Sequence, residues 1–175
     1  GSVSTVPGAF KPAVQNAADT QRMVENLLRH AAHLVRLKQR SGRSIALALE
    51  PEPCCYLETI AETVEFFDRH LFSAAAAVRL SELTGLDRAA ASTALREHVG
   101  VCLDLCHAAV EFEDPTGCVK DLRDAGIRVP KLQISSGLRL AELSPGALDA
   151  LQQFDDPVYL HQVVESGPEG FVRYL

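Results

Sequence analysis

Several absences narrow the reading before any motif is considered. The chain has no apolar run long enough to span a bilayer and lacks the basic-then-apolar start of a secretory signal, so the cytoplasm is the expected compartment. Lys and Arg are scattered rather than clustered and the net charge is -6, which leaves no footprint for a nucleic-acid backbone. The five cysteines, Cys54, Cys55, Cys102, Cys106 and Cys118, are odd in number, include an adjacent pair and form no C-x-x-C. They therefore make neither a disulfide framework nor a zinc knuckle. Buried free cysteines behave as small hydrophobes, and that is the plain reading of these.

What is present is the composition of one globular domain: 175 residues, 47% of them hydrophobic and 23% charged. That suffices for a substantial core without covalent staples. Gly1-Ser2 reads as a scar left by removing an expression tag, so residues 3–175 form the domain.

The most informative stretch is Ser44-Ile-Ala-Leu-Ala-Leu-Glu-Pro-Glu-Pro53. Strand side chains alternate, so Ile45, Leu47 and Leu49 share one face while Ala46, Ala48 and Glu50 share the other. The bulky face suits covering helices. The small face suits a crowded interior with Glu50 at its mouth, where a carboxylate must be paired or bind a metal. Before this strand, Met23, Leu27, Leu28, Ala31, Leu34 and Val35 recur at helical spacing up to a terminator at Gly42, whereas Val3 to Asp19 reads as loop. After it comes a helix from about Leu57 to near Val78, a break at Thr84-Gly85, and a helix capped by Asp87 that runs to about His98. His30, His33, His70 and His98 fall on these helices, as surface or boundary residues.

Val101-Cys-Leu-Asp-Leu-Cys106 repeats the parity of the first strand, with Cys102, Asp104 and Cys106 on the small face and His107 at the end. Asp114-Pro115 opens a helix ending near Gly126. Lys131-Leu-Gln-Ile-Ser135 places Gln133 and Ser135 together, Ser144-Pro145 opens a short helix, and Val158 to Val164 reads as a fourth strand carrying His161. Strands joined by helices are parallel. A doubly wound sheet would carry a Gly-rich turn where this chain has Pro51-Glu-Pro53, so the expected fold is α/β of the parallel (β/α)-barrel type. Four strands are about half of a closed barrel.

Each strand thus offers a polar group near its C-terminal end: Glu50, Asp104 with His107, Gln133, and His161. In a barrel these ends meet at one mouth. Carboxylate, imidazole and amide donors suit Mn, Mg, Co or Zn. The plain alternatives are a strand-end carboxylate paired with an Arg for Glu50, a hydrogen-bonded structural pair for Asp104 and His107, and satisfied interior residues for Gln133 and His161.

The segments Ala48-Leu-Glu-Pro-Glu-Pro53, Val101 to Glu113, Lys131 to Gly137 and Tyr159-Leu-His-Gln-Val163 resemble the xylose-isomerase-like TIM-barrel superfamily of sugar isomerases, epimerases and endonuclease IV-type enzymes. The nearer likeness is to its Ebo-type metabolite traffic proteins. The resemblance implies the C-terminal half of a TIM barrel and a divalent metal held by Glu50, Asp104, His107, Gln133 and His161. It also implies a sugar-like or polyhydroxylated substrate, with Glu50 (or the nearby Glu52) as base and His161 as acid. The chain departs from the epimerase pattern at two places, with Gln133 where a His is expected and His161 where a second Glu is expected. Metal binding survives that exchange more easily than epimerisation does. Three readings follow: a metal-dependent isomerase or epimerase, a metabolite-binding or traffic protein without turnover, and a purely structural module. Half a barrel leaves open edges at the Glu50 strand and the Tyr159 strand, so the chain is expected to form a homodimer or to associate with the missing half.

Overall fold

A computed structural model describes residues 1–142, 144–155 and 162–174. Its centre is a four-stranded, wholly parallel sheet in the order β1 (Ser2–Thr5), β2 (Ala46–Leu49), β3 (Val99–Asp104), β4 (Lys131–Gln133). Strand order follows chain order, as in consecutive strands of an α/β barrel, and the sheet curls like half of one.

The helices start where the sequence places strong caps. Asn16 accepts the amides of Ala18 and Asp19 to open α1 (Ala17–Ser41), which Gly42 closes in the left-handed conformation. Thr59 caps α2 (Ile60–Phe66), which runs on through a π turn at Phe67–Leu71. Ser73 opens α3 (Ala74–Thr84), Gly85 ends it, and Asp87 opens α4 (Arg88–His98). Past β3 come α5 (Leu105–Val110), α6 (Pro115–Asp124) capped by Asp114, and α7 (Pro145–Leu151) capped by Ser144. None of the described helices is long and apolar enough to cross a membrane.

The expected parity holds across the sheet. Paired registers put Leu47, Leu49, Val99, Val101 and Leu103 on the outer face. There they join Leu28, Ala31, Phe67, Leu71, Leu80, Leu95 and Leu122 in one apolar core. The inner face carries Ser2, Ser4, Ala46, Ala48, Glu50, Gly100, Cys102, Asp104, Lys131 and Gln133. Its curl brings β1 to β4: the Ser2 hydroxyl donates to the Pro130 carbonyl at 3.2 Å, and the Lys131 ammonium to the Ser4 hydroxyl at 2.7 Å. A Cβ at Gly100 would lie 2.6 Å from the Arg128 carbonyl oxygen, so only glycine fits where the inner face is tightest.

Three expectations differ from what is seen. The start is a strand, not a loop, and β1 covers the edge of the Glu50 strand, so the edges of the sheet are β1 and β4. Four alternating residues are too short a signal to rise above the Pro7-Gly8 and Pro12 breakers that follow. Of the expected strand Val158–Val164, the part described as strand, Val163 and Val164, belongs to an antiparallel hairpin. β5 (Val163–Gly167) pairs antiparallel with β6 (Gly170–Tyr174) as a separate hairpin, while Val158 to His161 lie outside the described residues. Finally, His98 is buried, with its Nδ1–H donating to the Ile45 carbonyl at 2.7 Å. A buried imidazole with its polar atom satisfied is what the core tolerates.

Candidate functional site

The C-terminal ends of β2, β3 and β4 bring four of the five expected residues together. Glu50 directly follows β2, Asp104 ends β3, and Gln133 ends β4 beside it in register. His107 stands one turn into α5, because β3 stops at Asp104, whose carboxylate caps that helix by accepting the Cys106 amide at 2.9 Å. The sequence had carried the strand on to Cys106. A capping aspartate ends a strand as surely as it starts a helix. His161 lies outside the described residues.

Gln133 links the two carboxylates. Its side-chain amide donates to Glu50 Oε1 at 2.7 Å and to Asp104 Oδ2. The other Asp104 oxygen accepts from the Ser135 hydroxyl, which in turn accepts the Cys106 amide at 3.0 Å. Burial alone would raise the Asp104 carboxyl, but the Ser135 hydroxyl and the Cys106 thiol and amide outweigh it and hold its pKa at about 2. Asp104 is therefore a charged, 7% exposed carboxylate. His107 Nδ1 lies 3.1 Å from the Pro51 carbonyl and 4.0 Å from Glu50 Oε1. A carbonyl only accepts, so Nδ1 carries the proton and Nε2 is left for another partner.

The two thiols of this region sit differently. Cys102 is wholly buried on the inner face, and burial first, then the Glu50 carboxylate, push its pKa up to about 12. Cys106 is half-buried at the start of α5, also raised by burial and by its hydrogen bond to Asp104.

Donor atoms of Asp104, Cys106 and His107 lie within 4.8 Å of one another, close enough to share one metal ion. Oxygen, sulfur and nitrogen donors together suit Zn or Co, and a thiol in the set argues against Mg. An imidazole whose other N–H is fixed by a backbone carbonyl is the usual arrangement for a ligating histidine. Gln133 meets the carboxylates as a donor, so ligation through its oxygen requires the amide to turn.

Cys106 reads from the sequence as a small hydrophobe rather than a ligand, although the spacing Asp104, Cys106, His107 marks it once Asp104 is recognised as a helix cap. Lys131 was legible by parity with Gln133. A second polar cluster borders the mouth. Glu58, in the loop after β2, accepts the Cys54 amide at 2.8 Å and pairs with Lys11, and Glu111, just past α5, pairs with Arg173 of the hairpin. Lys11 also holds Glu62 at 2.8 Å; burial works against the Glu62 charge, and the Lys11 contact still brings its pKa down. Nothing in local spacing pairs residue 173 with residue 111. A scan against protein-family models finds no match for this chain, and a search of curated proteins finds none.

Proposed function

We propose that the mouth formed by Glu50, Asp104, Cys106, His107 and Gln133 binds a divalent transition metal and, with it, a sugar-like or polyhydroxylated small metabolite. The observation that carries this reading is the meeting of oxygen, sulfur and nitrogen donors from Asp104, Cys106 and His107 at the C-terminal end of a curled parallel sheet. Asp104, Cys106 and His107 would hold the ion, Zn or Co before Mn or Mg. Such an ion, when bound, polarises a carbonyl or hydroxyl oxygen. Glu50, which accepts from the Gln133 amide, would serve as the base. Gln133, Ser135 and Lys131 add further polar side chains to the mouth and inner face, which suits a polyhydroxylated ligand. The likeness of these segments to xylose-isomerase-like barrels supports the substrate class.

One observation favours the alternative, a metabolite-binding or traffic protein without turnover. Gln133 binds both carboxylates at once, and a base already accepting an amide proton is a weaker base. Elemental analysis of chelator-free protein, beside Glu50→Ala and Asp104→Ala, tests metal binding. Stoichiometric Zn or Co lost in Asp104→Ala is the expected result, and a metal-free, well-folded protein would remove the reading. Turnover on a panel of ketoses and polyols then separates enzyme from carrier. The β4 edge, with Leu132 and Ile134 exposed beside it, supports association with a second copy or a further barrel segment, and light scattering reads that directly.

A further inference from the structure

The β5–β6 hairpin touches the body of the protein in a peculiar way. Most of its residues are exposed, yet Arg173 reaches from it to two carboxylates that are almost completely buried, Glu58 and Glu111. Its guanidinium grips Glu111 with Nε at 3.2 Å and with Nη2, and its Nε is 3.5 Å from Glu58 Oε2. Two residues before it, Phe171 stacks on Phe112 with ring centroids 5.3 Å apart. These contacts help seat the hairpin.

The two carboxylates belong to the two elements that build the mouth. Glu58 closes the loop that begins at Glu50, and it fixes that loop from inside by accepting the Cys54 amide. Glu111 follows α5, and its own amide donates to the His107 carbonyl at 3.1 Å. His107 returns to the loop through the Pro51 carbonyl. The contacts therefore form a closed ring: Arg173 to Glu111, along α5 to His107, across to Pro51, along the loop to Glu58, and back to Arg173. Lys11 serves Glu58 and Glu62, so among the described residues Arg173 is the cation for Glu111. Without it Glu111 would be a buried carboxylate with no cation beside it, an arrangement that burial opposes, one turn from His107.

We propose that Arg173 is a positioning residue, a clamp carried by the hairpin that fixes the spacing between the Glu50 loop and the His107 helix. Docking and release of the hairpin thereby set how tightly the mouth holds its ion. The effect on the ion rests on the metal-binding reading above; the clamp itself does not.

The test uses the whole chain and three variants, Arg173→Ala, Arg173→Lys and Glu111→Gln, the last keeping shape while removing charge. Two signals are read: amide exchange at Cys54 and Glu111, and Co(II) affinity from its visible absorption. Arg173→Ala and Glu111→Gln are expected to speed exchange at both amides at least about tenfold. They are also expected to weaken Co(II) binding by about 10–100-fold, the usual cost of removing a group that orients a metal ligand. Arg173→Lys, retaining the charge, should recover part of both. Unchanged exchange at Cys54 and Glu111 would overturn the clamp, as would full Co(II) affinity in Arg173→Ala with a freed hairpin. If the unaltered protein takes up no Co(II), the metal reading fails by itself. Exchange then decides the clamp alone, with acceleration upholding it and no change overturning it.

Discussion

The two faces of β3 are equally buried and differ in everything else. On the outer face Val99, Val101 and Leu103 meet helices, and what matters there is filled volume. On the inner face Gly100, Cys102 and Asp104 are closed off by the curl of the sheet, and each has a particular neighbour: the Arg128 carbonyl, the Glu50 carboxylate, and the Ser135 and Gln133 side chains. Burial therefore has two causes in one strand. Non-directional packing makes the sheet stable, and directional contacts on the other side hold polar groups where they can act.

Breaking the outer face should cost most. Leu49→Ala, at a position 1% exposed, removes a core side chain and is expected to lower stability by about 2–5 kcal/mol in urea unfolding. Metal uptake per folded molecule should stay the same. A loss of uptake matching that of Asp104→Ala would mean that the faces are not separable. Gly100→Ala is the inner-face counterpart, one methyl group against a backbone oxygen at 2.6 Å and Pro130 Cδ at 2.8 Å. It should cost about 3 kcal/mol, at the upper end of overpacking effects, because neither neighbour is a flexible side-chain tip. A neutral Gly100→Ala would show that the Arg128–Pro130 segment yields freely.

The parallel half-barrel was legible because its signals are local. Alternation in Ile45 to Glu50 and in Val101 to Asp104 fixes which face each residue takes, and Asp87, Asp114 and Ser144 are side-chain caps with definite offsets. The meeting of Glu50, Asp104 and Gln133 follows from that parity and from strand order, whereas His107 joins them because Asp104 ends the strand and opens α5. What escaped was non-local or ambiguous. Ser2–Thr5 is too short to announce itself, and the hairpin depends on Gly170 at φ 115° after Pro168-Glu169, a turn that spacing alone does not pair with Val163. The Arg173–Glu111 contact spans 62 positions, beyond any periodicity.

Acid titration sharpens the comparison from the polar side. Asp104 has its pKa lowered from 3.8 to about 2, so its contribution is present above the ordinary value and is lost as pH falls from about 4 through about 2. A shift of that size corresponds to about 2 kcal/mol. Asp104→Asn should flatten the acid limb of the stability curve over this window, whereas Leu49→Ala should lower the whole curve without changing its shape. An unchanged acid limb in Asp104→Asn would mean that the hydrogen bonds from Ser135 and Cys106 do not favour the charged form.

The smallest effect is kinetic and divides the thiols. Cys102 and Cys55 are buried, each with its pKa pushed up to about 12, by burial first and then by the Glu50 carboxylate for Cys102 and the Glu52 carboxylate for Cys55. At pH 8 only about one thiol in 10⁴ with such a pKa is ionised, and the thiolate is the reacting form. Cys106 is also raised, but it is half-buried at the mouth rather than under the sheet. A disulfide reagent should therefore modify Cys106 first in the native protein, and Zn should slow that reaction if Cys106 is a ligand. Cys102 and Cys55 should wait for opening of the domain, at a rate that rises with urea. Equal rates for Cys102 and Cys106 would place solvent inside the curl, because the approach of β1 to β4 and the directed contacts of Glu50, Asp104 and Gln133 would then not keep that face closed.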